Sequence, residues 1–247
     1  TVPRFHPVGQ FPLTYDLPQG MPLQADARSF KASPPATVDG RTVYRWDYQP
    51  AARARIETGA VSYLDYGHYL AVSTFLGFKD FAQAYQARAT VEVTPQISEL
   101  AKRLTAGVPT AREKALTLSD WVRQNIRYVA VYVGAGGVVP HAAQTVLDNR
   151  YGDCKDHVAL LEALLSAAGI KSTPAMVNQG NAYVFPKVPA LGVLNHVITY
   201  VPSLDLYLDS TDPSIAAGYL PLTVLNKRVL LTATGEFGKT PAMQLNQ

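Results

Sequence analysis

The sequence predicts an α+β fold, in which a segment rich in strands precedes a group of helices and a second set of strands. Three observations support this prediction. Residues 1 to about 80 are rich in proline and tyrosine and show no helical periodicity. Helices with clear caps follow between residues 94 and 168. Short β-branched runs, separated by turn residues, occupy the chain beyond residue 172.

Strand and turn signals dominate the first 80 residues. Eight of the 18 prolines lie within residues 1–50, where they disfavour helices and suit extended edges and loops. Asp39-Gly40 separates two β-like runs and predicts a tight hairpin turn. A second β-like stretch is predicted from Ala60 to Thr74 and contains three tyrosines. Their rings could line a sugar- or peptide-binding face, but packing between strands is the simpler role.

Two of the following helices are predicted from their N-terminal caps. Thr94 precedes Pro95, which suits the first helical position, and Thr110 forms a capping box with Glu113. The other predicted elements are a short helix at 78–81, an extended segment at 127–133, a helical turn at 145–149, and strands at 172–178, 194–201, 206–209 and 228–232.

Length and composition limit the class of protein. A chain of 247 residues forms one large domain or two smaller ones, and we expect a β-rich unit over residues 1–85 and a second domain over residues 86–247. The net charge of +3 is not concentrated in any run, so the sequence does not predict nucleic-acid binding. No apolar run approaches the roughly 18 residues of a membrane span. Oligomeric state stays open.

The sequence favours neither a metal nor a nucleotide site, and no cofactor is predicted. One cysteine and scattered histidines lack the spacing of metal ligands. The segment Gly134-Ala135-Gly136-Gly137 is not followed by the Lys-Ser/Thr pair of a phosphate-binding loop. A loop at the rim of a cleft is therefore the favoured interpretation of this segment.

The single cysteine, Cys154, lies where a turn enters a helix. Tyr151-Gly152 predicts the turn, Asp153 is a good N-cap, and apolar residues at helical spacing continue to Ala168. A lone cysteine is often a small buried hydrophobe. Here its neighbours are Gly-Asp before it and Lys-Asp-His after it, groups that would need pairing if buried. Because the start of a helix favours a thiolate, the local sequence predicts a reactive thiol.

A reactive thiol needs a base, and five histidines are available. His6 and His68 are expected at the surface or in packing roles, and His141 could line a cleft beside the glycine-rich loop. His157 lies three residues after Cys154 on the same helix, from which it would approach the sulfur from the side. His196 fits best, because a polar residue inside an apolar strand needs a reason.

Hairpin geometry connects His196 to an acid. A two-residue turn at Pro202-Ser203 would set His196 opposite Asp209 on the neighbouring strand. A four-residue connection would shift the pairing by two and leave the two residues diagonal neighbours on the same side. Asp209 is also a costly residue at the end of an apolar strand unless it is paired. The pattern predicts a histidine base oriented by a carboxylate.

Three motifs resemble those of the transglutaminase-like superfamily of cysteine enzymes. They are Gly152-Asp153-Cys154 at a helix start, Asn195-His196-Val197 in a strand, and Leu208-Asp209-Ser210-Thr211 at the end of the next strand. The run Tyr-Gly-Asp-Cys-Lys-Asp is similar to the bacterial branch in which this core follows a β-rich domain of unknown function. The resemblance covers about residues 90–235. Ser210 departs from the pattern, because proline is frequent at that position.

The resemblance implies a papain-like core, with the nucleophile helix packed on an antiparallel sheet. It also implies a triad in which Cys154 is the nucleophile, His196 the general base and acid, and Asp209 the orienting group. Gln144 and Tyr132 are candidates for the second donor to the oxyanion, beside the Cys154 N–H. Asp156 is expected to be a helix-start charge rather than a catalytic acid.

The implied activity is acyl transfer from a peptide or protein amide through a thioester, with hydrolysis expected more than cross-linking. A non-catalytic binding module that keeps the fold is the alternative. The resemblance favours a periplasmic or otherwise exported location. The cysteine count does not decide the compartment, and the start at Thr1 fits a processed exported protein or a trimmed chain equally well.

Overall fold

The structure, a computed structural model, describes residues 1–2, 7–50, 57–130 and 137–243. The chain divides into two compact units. The first unit contains residues 1–81 and 180–193, and the second contains residues 82–179 and 194–247. The domain boundary predicted after residue 85 stays a prediction, because compactness does not show that either part folds alone.

The first unit contains a four-stranded antiparallel sheet with β5 at its centre. Asp39 and Gly40 both have positive φ angles, 47° and 71°, as a two-residue hairpin turn requires. The predicted hairpin is therefore confirmed. The strands of this sheet are β1 (Pro12–Pro18), β3 (Phe30–Ala32), β4 (Ala36–Val38) and β5 (Arg41–Tyr48).

The same unit holds an antiparallel pair formed by β2 (Gln24–Arg28) and β6 (Tyr69–Ser73). The prediction of one continuous β-like stretch from Ala60 to Thr74 is wrong in its first half. Residues Tyr63–Tyr66 form a single helical turn, α1, because the Ser62 hydroxyl accepts a hydrogen bond from a first-turn N–H and caps it. Only the second half is a strand.

The segment 180–193 contains no helix or strand and is held by carboxylates of the first unit. Asp65 accepts hydrogen bonds from the N–H groups of Tyr183 and Val184, at 2.9–3.1 Å. Asp26 accepts one from the N–H of Lys187 at 2.8 Å. Backbone amides that lack a strand partner are satisfied in this way, so the loop needs no ladder of its own.

Helices α3 to α6 and the residues of α2 from 82 onward supply the helical part of the second unit. The predicted caps are confirmed: Thr94 accepts from the Ile97 N–H at 3.2 Å, and Thr110 and Glu113 form the reciprocal capping box. The short helix predicted at 78–81 extends to Gln86. The helices are α2 (Phe78–Gln86), α3 (Pro95–Leu104), α4 (Ala111–Asn125), α5 (Ala143–Asn149) and α6 (Cys154–Ala167).

Helix α6 is the centre of the second unit. Every residue from Lys155 to Leu165 is buried, and leucines on several faces of the helix contact α3, α4 and α5. The helix also packs against the strand that carries His196. Such a helix is buried nearly all round, so packing from every side rather than from one amphipathic face holds it in place.

A five-stranded antiparallel sheet completes the second unit, in the order β11-β10-β9-β12-β13. The four strands predicted beyond residue 172 are confirmed. The final strand was not predicted, because Phe237-Gly238-Lys239 has no alternating pattern and is ordered by pairing with β12. The strands are β9 (Thr173–Val177), β10 (His196–Val201), β11 (Leu206–Leu208), β12 (Arg228–Leu231) and β13 (Phe237–Lys239).

A short parallel pair leads the chain into α6. It joins β7 (Arg127–Tyr128) to β8 (Tyr151–Gly152). The extended segment predicted at 127–133 is seen at its first two residues, and residues 131–136 lie outside the described part of the chain. No helix of the described residues is long and apolar enough to cross a bilayer.

Glu162 is a carboxylate inside this core. It lies on α6 with 6% of its surface exposed, and its Oε1 accepts a hydrogen bond of 3.3 Å from the Ser172 hydroxyl. Burial raises the pKa of Glu162 to about 7, and the Ser172 bond opposes the rise only in part. The ionised form is therefore disfavoured in the folded protein.

We expect Glu162→Gln to stabilise the protein above neutral pH. In the parent protein, stability falls as pH rises from the ordinary range of a glutamate toward about 7, because the folded state holds this proton more tightly than the unfolded state. Since each tenfold difference in proton affinity corresponds to about 1.4 kcal/mol, the cost reaches a few kcal/mol at most. Urea denaturation of both proteins at pH 5 and pH 8 measures this cost as a difference in the free energy of unfolding. If the substitution raises that free energy equally at both pH values, this account is wrong.

Candidate active site

Cys154 is the first residue of α6, as the sequence predicts. Asp153 is the N-cap, and its N–H donates to Oδ2 of Asp156 at 3.2 Å. Asp156 therefore has the helix-start role expected of it. Cys154 is a half-buried free thiol, and its N–H is among the first four of the helix, which have no partner inside it.

The charged residues around Cys154 are paired rather than solvated. Lys155 and Asp153 are both buried and form an ion pair. Asp156, also buried, accepts from the backbone N–H of His141 at 2.8 Å and from its ring Nδ1 at 3.1 Å. The polar residues that frame the cysteine thus enter the core with partners, which limits the cost of burying them.

His196 and Asp209 form a buried pair. Nε2 of His196 donates a hydrogen bond of 2.9 Å to Oδ2 of Asp209, and each residue exposes 3% of its surface. The other oxygen of Asp209 accepts from the N–H of Thr211 at 3.0 Å and from its hydroxyl at 2.6 Å. Both oxygens of the carboxylate are therefore occupied, which fixes its orientation.

The register of the hairpin explains how the pair forms. The observed pairs are Thr199 with Leu208 and Val201 with Leu206, so the connection has four residues and the two-residue turn is wrong. Pro202–Leu204 form a turn of 3-10 helix, and Asp205 takes a left-handed conformation. One further step of the register sets residue 198 opposite residue 209. His196 is then the diagonal neighbour of Asp209, as a four-residue connection requires.

The charges of the pair stabilise each other. Burial alone would lower the pKa of His196, but the carboxylate of Asp209 and a hydrogen bond and charge interaction with Cys154 outweigh burial and raise it. Burial alone would raise the pKa of Asp209, but the charge of His196 and the hydrogen bonds from His196 and Thr211 lower it. The site thus favours an imidazolium between a carboxylate and the sulfur.

The ring of His157 bonds to the backbone after Asp209 and is not placed as a base for Cys154. Its Nδ1 donates to the backbone oxygen of Ser210 at 2.9 Å, and 1% of its surface is exposed. Burial lowers the pKa of His157, although the Ser210 bond and nearby carboxylates oppose this. The neutral ring therefore links α6 to the residue that follows Asp209.

The two candidate oxyanion donors, Gln144 and Tyr132, stay predictions. The side-chain amide of Gln144 donates to Gln96 and to Asp148, both at 2.8 Å, so its N–H groups are used elsewhere. The amide of Gln144 therefore has other partners in this structure, and its role as an oxyanion donor stays a prediction. Tyr132 lies outside the described residues.

Two residues near the site, Thr211 and Tyr85, have no role in the prediction from sequence. Thr211 could have been found, because a hydroxyl two residues after an aspartate commonly bonds its carboxylate. Tyr85 is buried, and burial together with the nearby charges of Glu162 and Cys154 raises the pKa of its hydroxyl. No local signal in helix α2 indicates that this tyrosine lies near the cysteine.

No group of three or more His, Cys, Asp or Glu side chains in the described ranges could hold a metal ion. The buried carboxylates at the start of α6 instead have the lysine, imidazole and amide partners given above.

A family model for the transglutaminase-like superfamily matches residues 98–185. This region contains Cys154 and ends before His196. The match confirms the resemblance inferred from the three motifs. The search of curated proteins gave no significant match.

Solved structures show a similar fold. A candidate protease from Parabacteroides distasonis superposes with a TM-score of 0.76 at 19% identity, over 95% of this chain and 45% of that one. This chain thus spans less than half the length of that protein. A candidate cysteine protease from Cytophaga hutchinsonii is 14% identical over 83% of this chain and 66% of that one, with a TM-score of 0.37, too low to bear on the fold. The first structure and the family match show a papain-like core.

We expect Gly152→Ala to destabilise the start of α6. An added Cβ would lie 2.5 Å from Cβ of Asp156, which is itself held by its bonds to Asp153 and His141. Crowding of this kind costs about 1–3 kcal/mol. The measurement is the free energy of unfolding in urea.

Gly192→Ala is the matched control, since an added Cβ there meets nothing within 4 Å. If the two variants have equal free energies of unfolding, the first turn of α6 accommodates the added methyl group without loss of stability, which would contradict this prediction.

Proposed function

We propose that this chain, which carries a transglutaminase-like core, is a cysteine-dependent acyl-transfer enzyme acting on amides of peptides or proteins. The observation that supports it is the buried His196–Asp209 pair, whose imidazole also interacts with Cys154 at the start of α6. A nucleophile, a base and an orienting acid are the parts that such a reaction needs.

Asp209 determines which ring nitrogen of His196 exchanges a proton with the sulfur. Its carboxylate accepts the proton of Nε2, so Nδ1 is the atom of His196 left to exchange a proton with Cys154. Thr211 holds the carboxylate from its other side. In this proposal Asp209 stabilises the imidazolium and orients the ring and is not itself protonated.

The reaction proceeds in two stages. The Cys154 sulfur attacks the amide carbonyl carbon, and the oxygen, now negatively charged, accepts a hydrogen bond from the Cys154 N–H. The C–N bond then breaks, and the amine leaves with the proton that His196 Nδ1 carried. A thioester remains on Cys154. Water, deprotonated by His196, attacks the thioester and releases the acid together with the thiol.

Hydrolysis is the outcome that we propose, with transfer to an amine as the competing one. The two differ only in the nucleophile that attacks the thioester. The Parabacteroides distasonis protein, which is similar in fold, is described as a candidate protease. The substrate proposed here is accordingly a peptide or protein amide.

We expect iodoacetamide to label Cys154 rapidly at pH 7 and His196→Ala to slow the labelling by at least about tenfold. The raised pKa of His196 keeps the ring protonated near neutral pH, where it stabilises the reactive thiolate. Mass spectrometry of the modified peptide gives the rate. His68→Ala, in the first unit, is the matched histidine control. If His196→Ala is labelled as fast as the wild-type protein, the imidazole does not activate the Cys154 sulfur, and the proposed pair is wrong.

We also expect an acyl-enzyme on Cys154 when the protein is mixed with a peptide library and quenched in acid. Intact-mass analysis detects the thioester, which Cys154→Ala removes, and Asp209→Asn slows its formation at least about a hundredfold because the ring loses its orienting charge.

Adding a fluorescent primary amine then distinguishes the two fates. Free acid as the main product supports hydrolysis, and amide as the main product supports cross-linking. Absence of any acyl-enzyme from the wild-type protein would favour the alternative, a binding module that keeps the fold.

A further inference from the structure

A pocket separate from the candidate active site lies beside the C-terminal half of α6. Its volume is about 480 Å³, within the size range of sites for small molecules. All of its walls belong to the second unit of the chain. Its polar side chains are those of Gln86, Glu162, Ser166, Lys171 and Ser172.

The carboxylate of Glu162 is the most buried charged group of this pocket. One weak hydrogen bond, from Ser172 at 3.3 Å, reaches its Oε1. Within the described residues no ion pair involves Glu162. The buried charges at the other end of α6, Asp153 and Asp156, both have a cationic or imidazole partner. A cationic ligand would give the Glu162 carboxylate the positively charged partner that it lacks among the described residues.

Two further features of the pocket favour a ligand with charges of both signs. The pocket includes residues at the C-terminal end of α6, such as Ser166 and Gly169, where the helix dipole is negative and attracts a cation. Lys171, an exposed lysine, lines the same pocket and, in the described part of the chain, forms no ion pair with Glu162. A carboxylate on the ligand would meet this ammonium.

We propose that this pocket binds a small zwitterion of amino-acid size, with its ammonium on Glu162 and its carboxylate on Lys171. Val91 and Ile170 add an apolar wall, which suits an aliphatic side chain. A bare metal ion does not fit this site, because the pocket is far larger than one ion and supplies one carboxylate.

The ligand is not the acyl acceptor of the proposed reaction. Glu162 follows Cys154 by eight residues on α6, which places their backbones about 12 Å apart along the helix. Cys154 is not among the residues that line this pocket, so an amine bound to Glu162 occupies a different site from the thioester. The proposal concerns a separate site, and it stands or falls independently of catalysis.

Calorimetric titration of the whole chain with L-leucine tests the proposal. We expect measurable binding at pH 8, and at least about tenfold weaker binding to both Glu162→Gln and Lys171→Met. Isopentylamine, which lacks the carboxylate, and 4-methylpentanoic acid, which lacks the ammonium, are the matched probes. Each should bind the wild-type protein at least about tenfold more weakly than leucine.

The pH dependence gives a second readout. Because burial raises the pKa of Glu162 to about 7, leucine should bind more weakly at pH 6 than at pH 8, and this difference should vanish in Glu162→Gln. Lys171 and Tyr85 are the other titratable groups that face Glu162.

Three results would overturn the proposal. They are no leucine binding at millimolar concentration, leucine affinity unchanged by Glu162→Gln, and isopentylamine binding as tightly as leucine. Thermal melting of each variant shows whether a lost affinity reflects unfolding.

Discussion

The site depends on one buried hydrogen bond, between His196 and Asp209. A carboxylate with no exposed surface is stable there because the imidazole and Thr211 occupy its oxygens. The imidazole keeps its charge mainly because the carboxylate is beside it, with a smaller contribution from Cys154. Each partner alone would be a costly buried group. This contact is set by the hairpin that consists of strand β10, the four-residue connection and strand β11. The proposed chemistry therefore depends on the geometry of this hairpin.

Helix α6 brings the third participant to the pair. Its leucines fill the core between the other helices and the sheet, which leaves little freedom for the position of its first residue. The cost of this placement is that Asp153, Lys155 and Asp156 are buried with it. Lys155 pairs with Asp153, and Asp156 accepts a hydrogen bond from the Asp153 N–H. These interactions stabilise the first turn of the helix.

Much of this arrangement could be predicted from the sequence, because its signals are local. Caps mark the starts of α3 and α4, and Asp39-Gly40 marks a hairpin. Features that depend on distant residues could not be predicted. Gln144 donates to Gln96 on α3, and β13 exists through pairing with β12. The diagonal pairing of His196 with Asp209 was one of two alternatives, which only the geometry of the turn separates.

The bond from His157 to the backbone oxygen of Ser210 explains why an unusual residue is tolerated beside the acid. The resemblance to the family makes proline the frequent residue at this position. Serine and proline have the same carbonyl group, and the hydroxyl takes no part in this bond. Exchange between them therefore keeps the acceptor of this bond, and the link from α6 to the buried residue after Asp209 depends on the backbone at position 210 rather than on its side chain.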